Sequence, residues 1–253
     1  MTLSLDSQLW IRRFHPAPAA TARLVCFPHA GGSASYFHPV SAALSPAVEV
    51  LAVQYPGRQD RRTDPLVDDL FVLADQLAEI LAAEPGPLAF FGHSMGASLA
   101  FEVARRLEPR GTELLGLFVS GRRAPSAFRD ERYHRESDDG LLAEVKRLSG
   151  TDAKVLEDDE IIRMVLPALR NDYKAAETYR YRPGPDVSCP VLALIGDHDP
   201  KVTADEARQW ATHTSGAFEL RTYPGAHFYL NEHHAAVNSL IAARLSAAAS
   251  SRG

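Results

Sequence analysis

The chain has 253 residues, 45% of them hydrophobic and 23% charged, a balance that predicts one globular domain over residues 1–253. Its formal net charge of -5 argues against a general nucleic-acid binder. The start lacks the features of a signal peptide and no apolar stretch has the length of a membrane span, so we expect a cytoplasmic protein without membrane partners and, by default, a monomer.

Six apolar runs recur along the chain and are near-continuous instead of alternating, which is typical of parallel strands covered on both faces. Most are separated by amphipathic stretches of helical period, such as the leucine-rich stripe over residues 66–81. The pattern predicts an α/β fold with a mostly parallel sheet flanked by helices. The predicted strands are residues 24–27, 48–53, 88–91, 115–120, 191–195 and 218–223.

The first predicted strand runs into a loop of small residues, Pro28-His29-Ala30-Gly31-Gly32. Small side chains allow a backbone N–H to approach a substrate oxygen, and the loop occupies the place of the HGGG loop of lipases. We expect the Ala30 N–H to be one donor of an oxyanion hole. The second donor would be the N–H of Met95, where a helix begins and its unpaired amides favour negative charge.

The third predicted strand leads into Gly92-His93-Ser94-Met95-Gly96, a G-x-S-x-G sequence directly before a helical pattern. This arrangement is typical of the nucleophile elbow of α/β-hydrolases, a strained turn that exposes the serine hydroxyl. Glycine is needed on both sides because a side chain there would collide with the neighbouring strand and helix. Ser94 is therefore the predicted nucleophile.

The interval from Gly121 to Pro190 is far longer than the connections that normally join adjacent parallel strands. Two amphipathic stripes within it, at residues 141–148 and 161–169, predict two helices. We interpret residues 125–185 as a helical lid over the carboxyl ends of the strands, where it would shape an apolar acyl pocket.

The fifth predicted strand is followed by two acidic residues, Asp197 and Asp199, and the sixth by His227. Serine, acid and histidine then occur in the order that α/β-hydrolases use. The G-x-x-D spacing from Gly196 favours Asp199 as the acid, with Asp197 as the alternative. His227 would act as general base towards Ser94.

The sequence offers no sign of a metal site or a cofactor site. The two cysteines, Cys26 and Cys189, lie outside any C-x-x-C or Cys/His ligand spacing, and no glycine-rich phosphate loop occurs. We therefore expect no metal and no cofactor.

Five segments together go beyond the fold: FPHAGGSASYF at residues 27–37, QYPGRQDR at 54–61, FFGHSMGA at 90–97, LRNDYKAAETYRY at 169–181 and PGAHFYL at 224–230. Their combination resembles the type II thioesterases of polyketide and nonribosomal peptide synthesis. The resemblance implies hydrolysis of aberrant or stalled acyl groups from the phosphopantetheine thiol of an acyl or peptidyl carrier protein. It also implies roles for the matching residues: Ser94, Asp199 and His227 as the triad, and Ala30 and Met95 as oxyanion donors.

Arginines follow two of the predicted strands, at the edge of the sheet that would carry Ser94. They could form a basic rim that docks an acidic carrier protein. The simpler interpretation, which we favour, is salt bridging to Asp60, Asp64, Asp130 and Glu131. The arginines are Arg58, Arg61, Arg62, Arg122 and Arg123.

Other functions compatible with the same motifs are a carboxylesterase or lipase acting on oxygen esters and a thioesterase that releases a finished product. A non-catalytic α/β-hydrolase used for binding is a further alternative. Such proteins typically lose a member of the triad, whereas all three residue types are present in this sequence.

Overall fold

The structure, a computed structural model, describes residues 7–148 and 159–250. Its centre is a seven-stranded sheet with the order β1-β3-β2-β4-β5-β6-β7, parallel except for β1. The predicted α/β class with a mostly parallel sheet is confirmed. The strands are β1 Ile11–Arg12, β2 Ala22–Phe27, β3 Val48–Val53, β4 Leu88–His93, β5 Leu114–Ser120, β6 Val191–Gly196 and β7 Phe218–Tyr223.

All six predicted strands are present within a few residues of their expected ends, and β1 is the addition. It has two residues and pairs antiparallel with the end of β3, through Ile11 to Val53. Two residues are too few to show a strand period, so the sequence does not reveal it.

Eight α-helices occur in the described ranges. Leu66, included in the predicted stripe for the third helix, lies before that helix and is 38% exposed. The helix begins after Asp69, whose carboxylate accepts hydrogen bonds from the N–H groups of Phe71 and Val72. The helices are α1 Ser7–Trp10, α2 His38–Leu44, α3 Leu70–Leu81, α4 Met95–Leu107, α5 Asp138–Leu148, α6 Asp159–Thr178, α7 Ala204–Arg208 and α8 Leu230–Ser250.

The central strands are buried on both faces, which explains their continuous apolar sequences. In β2, Val25 and Phe27 belong to a core cluster with α3 and α4. The alternate residues Leu24 and Cys26 belong to a second cluster, which includes residues of α8. Because the side chains alternate between two helical layers, the carboxyl edge of the sheet is left to carry the loops.

The long connection between β5 and β6 contains α5 and α6, one over each predicted stripe. The two helices pack together through a cluster that includes Leu142, Leu166 and Leu169, and Ala30 of the loop after β2 packs against this cluster. Residues 149–158 of the predicted lid, and residues 1–6 and 251–253 of the predicted single domain, lie outside the described residues. In residues 7–148 and 159–250, no helix combines the length and apolarity needed to cross a membrane.

Candidate active site

The turn between β4 and α4 has the strained geometry expected of a nucleophile elbow. Ser94 has φ 55° and ψ -117°, a conformation that non-glycine residues rarely adopt. A Cβ on Gly92 would lie 2.2 Å from the Gly96 carbonyl oxygen, and one on Gly96 would lie 2.1 Å from the Phe27 carbonyl oxygen. Both positions therefore require glycine, as the sequence predicts, because β2, β4 and α4 converge there.

Asp199 and His227 are brought together by the loops after β6 and β7. The Nδ1 atom of His227 lies 3.0 and 2.9 Å from the two carboxylate oxygens of Asp199, and both residues are buried. The Lys201 N–H donates to the same carboxylate at 2.8 Å. A carboxylate only accepts hydrogen bonds, so the proton of the neutral imidazole lies on Nδ1 and Nε2 is left basic.

Asp197, the alternative acid, is exposed, and its carboxylate contacts Gly225 and His198 instead of His227. Its carboxylate accepts a hydrogen bond of 2.9 Å from the Gly225 N–H and pairs with His198 at 2.6 Å. These contacts join the β6 and β7 loops and lower the pKa of Asp197, with the Gly225 hydrogen bond as the largest lowering effect. Of the two acids, only Asp199 has the geometry to orient His227.

Ser94, Met95, Ala30 and His227 line one cavity at the carboxyl edge of the sheet. Across the described part of the chain, no hydrogen bond joins the Ser94 hydroxyl to the His227 imidazole. Such bonds are often long before a substrate is bound. The cavity thus collects the predicted nucleophile, the predicted base and both predicted oxyanion donors.

The lining of this cavity is only partly apolar, whereas the sequence predicts an apolar acyl pocket. Val145 and Leu148 of α5 and Tyr173 and Ala176 of α6 contribute apolar surface. Charged side chains complete the lining, and the cavity is therefore of mixed polarity. The charged residues are Arg122, Glu131, Glu177 and Lys201.

Two of these charged residues, Glu131 and Lys201, belong to a largely buried network of ion pairs. The Lys201 Nζ lies 2.9 Å from a Glu131 oxygen and 2.6 Å from a Glu144 oxygen, and Arg123 pairs with Glu131 at 2.6 Å. Burial raises the pKa of Glu131, but the positive charges of Lys201 and Arg123 outweigh that effect and lower it to about 2. Glu131 is therefore ionised at neutral pH.

Two further histidines adjoin His227. The ring of His93 is fully buried with its centroid 4.9 Å from that of His227, and its Nδ1 lies 3.0 Å from the Ser120 hydroxyl. Burial lowers the pKa of His93 well below its usual value, and burial followed by the nearby charges of His227 and Arg58 lowers that of His29 to about 3. Both rings are neutral at pH 7 and leave His227 as the base.

Two charged side chains that lie outside the loop after β2 form hydrogen bonds with its backbone. The Gly31 N–H donates to the Asp172 carboxylate at 2.8 Å, and the Arg58 Nε donates to the Gly32 carbonyl at 3.1 Å. Arg58 and Asp172 also form a buried ion pair with each other. Both side chains therefore hold the backbone on the carboxyl side of Ala30.

The sequence reasoning missed two residues that hold this loop, Asp172 and Gln54. The Gln54 side-chain oxygen accepts a hydrogen bond of 2.8 Å from the Ala34 N–H. A signal for both was present, because Gln54 opens the segment 54–61 and Asp172 lies in the segment 169–181, two of the five that carry the family resemblance. What the sequence does not reveal is which atoms these side chains contact.

Most of the five arginines of the predicted docking rim are turned away from solvent. Arg58, Arg61 and Arg123 are each less than a tenth exposed. Arg122 is partly buried and lines the cavity, where its Nε donates to the Ser98 hydroxyl at 2.9 Å. Only Arg62 is exposed. Position at the end of a strand predicts the edge of the sheet but not the direction of the side chain.

Salt bridging, the alternative, is confirmed for two of the five. The Arg61 Nε pairs with Asp64 at 2.8 Å while its guanidinium lies 4.2 Å from the ring centre of Trp10. Arg123 pairs with Glu131 at 2.6 Å. The other two acids named as partners pair elsewhere, Asp60 with Arg12 and Asp130 with Arg132.

In the ranges that the structure describes, no group of three or more His, Cys, Asp or Glu residues is arranged to hold a metal ion. Cys26 and Cys189 are both buried and free, and burial raises the pKa of each thiol, so neither is a reactive thiolate.

Comparison with known proteins gives a consistent result. A family model described as a thioesterase domain matches residues 22–245. The chain is 59% identical over 235 residues to the thioesterase PikA5 of Streptomyces venezuelae, covering 91% of this chain and 83% of that protein. Its structure is similar to that of the type II thioesterase BorB from the borrelidin biosynthetic cluster, with 52% identity, a TM-score of 0.86 and coverage of 95% and 98% of the two chains. It is also similar to YbtT, a type II thioesterase from the yersiniabactin NRPS/PKS pathway, with 32% identity, a TM-score of 0.84 and coverage of 94% and 99%.

Proposed function

Because this chain belongs to the thioesterase domain family and is a thioester hydrolase, we propose that it edits an assembly line of polyketide or nonribosomal peptide synthesis. Its substrate would be an aberrant or stalled acyl group on the phosphopantetheine arm of an acyl or peptidyl carrier protein. The observation that carries the proposal is the cavity shared by Ser94, His227 and Ala30, in a chain whose relatives BorB and YbtT are described as type II thioesterases.

In the proposed mechanism Ser94 attacks the acyl carbonyl while the His227 Nε2 accepts its proton. Asp199 accepts the Nδ1–H at 2.9 Å and stabilises the imidazolium that forms. His227 then gives the proton to the departing thiol. In the second half of the reaction His227 activates a water that hydrolyses the acyl-enzyme, and Ser94 is restored.

The negative charge that develops on the carbonyl oxygen would be stabilised by the N–H groups of Ala30 and Met95. Met95 opens α4, where unpaired amides and the helix dipole favour an anion. Each such donor contributes about 3 kcal/mol to transition-state stabilisation. A thiolate leaves more readily than an alkoxide, which reduces the demand on His227 as general acid.

We propose that residues 125–185 act as a lid over this cavity. The proposal is supported by Val145 and Leu148 of α5 and Tyr173 of α6, which contribute to the cavity wall. A lid made of helices can exclude water from the acyl-enzyme while leaving room for the phosphopantetheine arm.

Arg62 is the one predicted docking residue that remains exposed, and we propose that it contacts the acidic carrier protein. Arg62→Glu is expected to raise KM for an acyl carrier protein substrate and to leave KM for a small acyl thioester unchanged. Equal effects on both substrates would argue against docking at this position.

The test of the function compares kcat/KM for short acyl groups on a phosphopantetheinylated carrier protein with kcat/KM for the same groups as oxygen esters. Ser94→Ala is the control for both. Faster turnover of the carrier-bound thioester that is abolished by Ser94→Ala supports an editing thioesterase. A preference for oxygen esters would identify a carboxylesterase, accumulation of a cyclised or released final product would identify a product-releasing enzyme, and no turnover would identify a binding role.

A further inference from the structure

The loop that carries the Ala30 N–H is tied to α6 by a hydrogen bond from the Gly31 N–H to Asp172, and Asp172 in turn forms a buried ion pair with Arg58. We propose that Arg58 and Asp172 are positioning residues for catalysis: together they hold the oxyanion loop, residues 28–34, in its working geometry and make the second half of α6 part of the catalytic scaffold. The inference rests on the proposed function, because it assumes that the Ala30 N–H binds the developing oxyanion.

The contacts of Asp172 fix the direction of a backbone amide. Its carboxylate, 1% exposed, accepts a hydrogen bond from the Gly31 N–H at 2.8 Å. That N–H belongs to the peptide group that joins Ala30 to Gly31, so its direction constrains the backbone on the carboxyl side of Ala30. Gly31 has a positive φ of 75°, a backbone conformation that glycine adopts without the steric penalty of other residues, and this conformation brings its N–H to Asp172.

Arg58 supplies a second constraint on the loop, and its positive charge neutralises the carboxylate of Asp172. Its guanidinium donates in three directions: to the Gly32 carbonyl at 3.1 Å, to the Pro56 carbonyl at 2.6 Å and to Asp172. The planar fork of arginine carries its donors on three separate nitrogens, whereas a lysine ammonium carries all of its donors on one nitrogen. Burial lowers the pKa of Arg58 to about 10, so the guanidinium still carries its charge at neutral pH.

The same pair joins the loop to α6. A Cβ at Gly31 would lie 2.7 Å from Leu169 Cδ1, so the loop packs on α6 with no free space between them. One residue before Asp172, the Asn171 side-chain amide donates to the Val67 carbonyl at 2.8 Å. Movement of this half of α6 would therefore separate Asp172 from Gly31 and release the oxyanion loop.

The test measures hydrolysis of a short acyl thioester by the full chain and by Asp172→Asn, which keeps the shape and an acceptor for Gly31 but removes the charge. We expect kcat to fall on the order of 10- to 100-fold, the range that misplacement of a catalytic group produces, with little change in KM. Arg58→Lys is expected to behave in the same way and serves if Asp172→Asn does not fold. The double variant is expected to lose no more than the single ones, because the two residues act as one unit.

A second readout distinguishes positioning from a general loss of structure. A short alkylboronic acid adds to the Ser94 oxygen, the Ser94 proton passes to His227, and the tetrahedral boronate places an oxygen in the oxyanion hole. Its affinity should fall by about the same factor as kcat/KM, because both report the transition-state geometry.

The matched control is Glu49→Gln, a change at another buried carboxylate paired with arginine. Glu49 is 6% exposed on β3, accepts from the Arg23 Nε at 3.1 Å and from the Ala17 N–H at 3.4 Å, and does not contact the oxyanion loop. It should lose stability while retaining wild-type kcat and boronate affinity.

Wild-type kcat and boronate affinity in Asp172→Asn, or equal losses in the Glu49→Gln control, would overturn the positioning role while leaving the proposed function intact. Failure of the unaltered enzyme to hydrolyse the thioester would overturn the proposed function itself, and this inference with it.

Discussion

The two sides of the cavity are built in different ways. On the acid–base side, Asp199 and His227 follow adjacent strands, and their contact is direct and 28 positions apart in sequence. On the oxyanion side, the loop after β2 depends on Arg58 and on Asp172, which lies 141 positions from the Gly31 that it binds. The first side is formed by strand ends, whereas the second also depends on α6, a helix of the proposed lid. A single change on the acid–base side should therefore affect the chemistry alone, and one on the oxyanion side should affect both the chemistry and the position of α6.

The largest expected effect is on the acid–base side. Asp199→Asn should lower kcat about 10⁴-fold, because an amide cannot hold the imidazole in the tautomer that leaves Nε2 basic and does not stabilise the imidazolium. The measurement is steady-state hydrolysis of an acyl thioester. The structure of the variant should be retained, since the amide has the shape of the carboxylate.

Asp197→Asn is the matched control for that change, two residues away on the same loop. It removes the exposed contact with His198 and weakens the one with the Gly225 N–H, and neither contact involves Ser94 or the cavity. Activity close to wild type is expected. If Asp197→Asn were the damaging change and Asp199→Asn the mild one, the assignment of the acid would be reversed.

The next largest effect on activity is expected on the oxyanion side, from a change that removes a backbone N–H donor but no functional side-chain group. Ala30→Pro deletes the proposed oxyanion N–H and should lower kcat about 10²- to 10³-fold, whereas Ala30→Ser retains the N–H and should be far milder. Steady-state kinetics of both variants gives the comparison. Equal activities would exclude the Ala30 N–H from the reaction.

What could be predicted from the sequence follows the same division. The G-x-S-x-G elbow and the acid and histidine after β6 and β7 depend on strand ends and short spacings. The structure brings Ser94 and His227 to one cavity and places Asp199 against His227. In the predicted docking rim, Arg58 and Arg123 turn inwards to Asp172 and Glu131, because position after a strand does not determine the direction of an arginine side chain. Long-range pairs such as Arg58 with Asp172 require the packed helices to be known.

The nucleophile elbow lies between the two sides, and crowding of its glycines should make the stability of the protein sensitive to their replacement. Gly96→Ala places a Cβ 2.1 Å from the Phe27 carbonyl oxygen, so the end of β2 or the start of α4 must move. We expect a loss of about 3 kcal/mol in the free energy of unfolding, measured by urea denaturation.

Gly111→Ala is the control for glycine replacement itself. Gly111 has a φ of 86° but nothing within 4 Å of the added Cβ, so only backbone strain of about 1 kcal/mol is expected. Similar losses in both variants would mean that the crowding at the elbow is relieved by small shifts.

The smallest expected effect is a pH dependence of stability that arises behind the acid–base side. In the unfolded chain the His93 pKa has its ordinary value near 6.5, whereas burial lowers it well below that value in the folded protein. Between these values the unfolded chain binds more protons, so stability is present above pH 6.5 and is lost as the pH falls.

His93→Asn should reduce the slope of unfolding free energy against pH by up to about 1.4 kcal/mol per pH unit below 6.5. The measurement belongs between pH 6.5 and 4.5, because Glu131, whose pKa falls from 4.5 to about 2 on folding, contributes its own loss of stability only at lower pH. An unchanged slope in His93→Asn would show that His93 takes up its proton in the folded protein, which would place a positive charge beside His227.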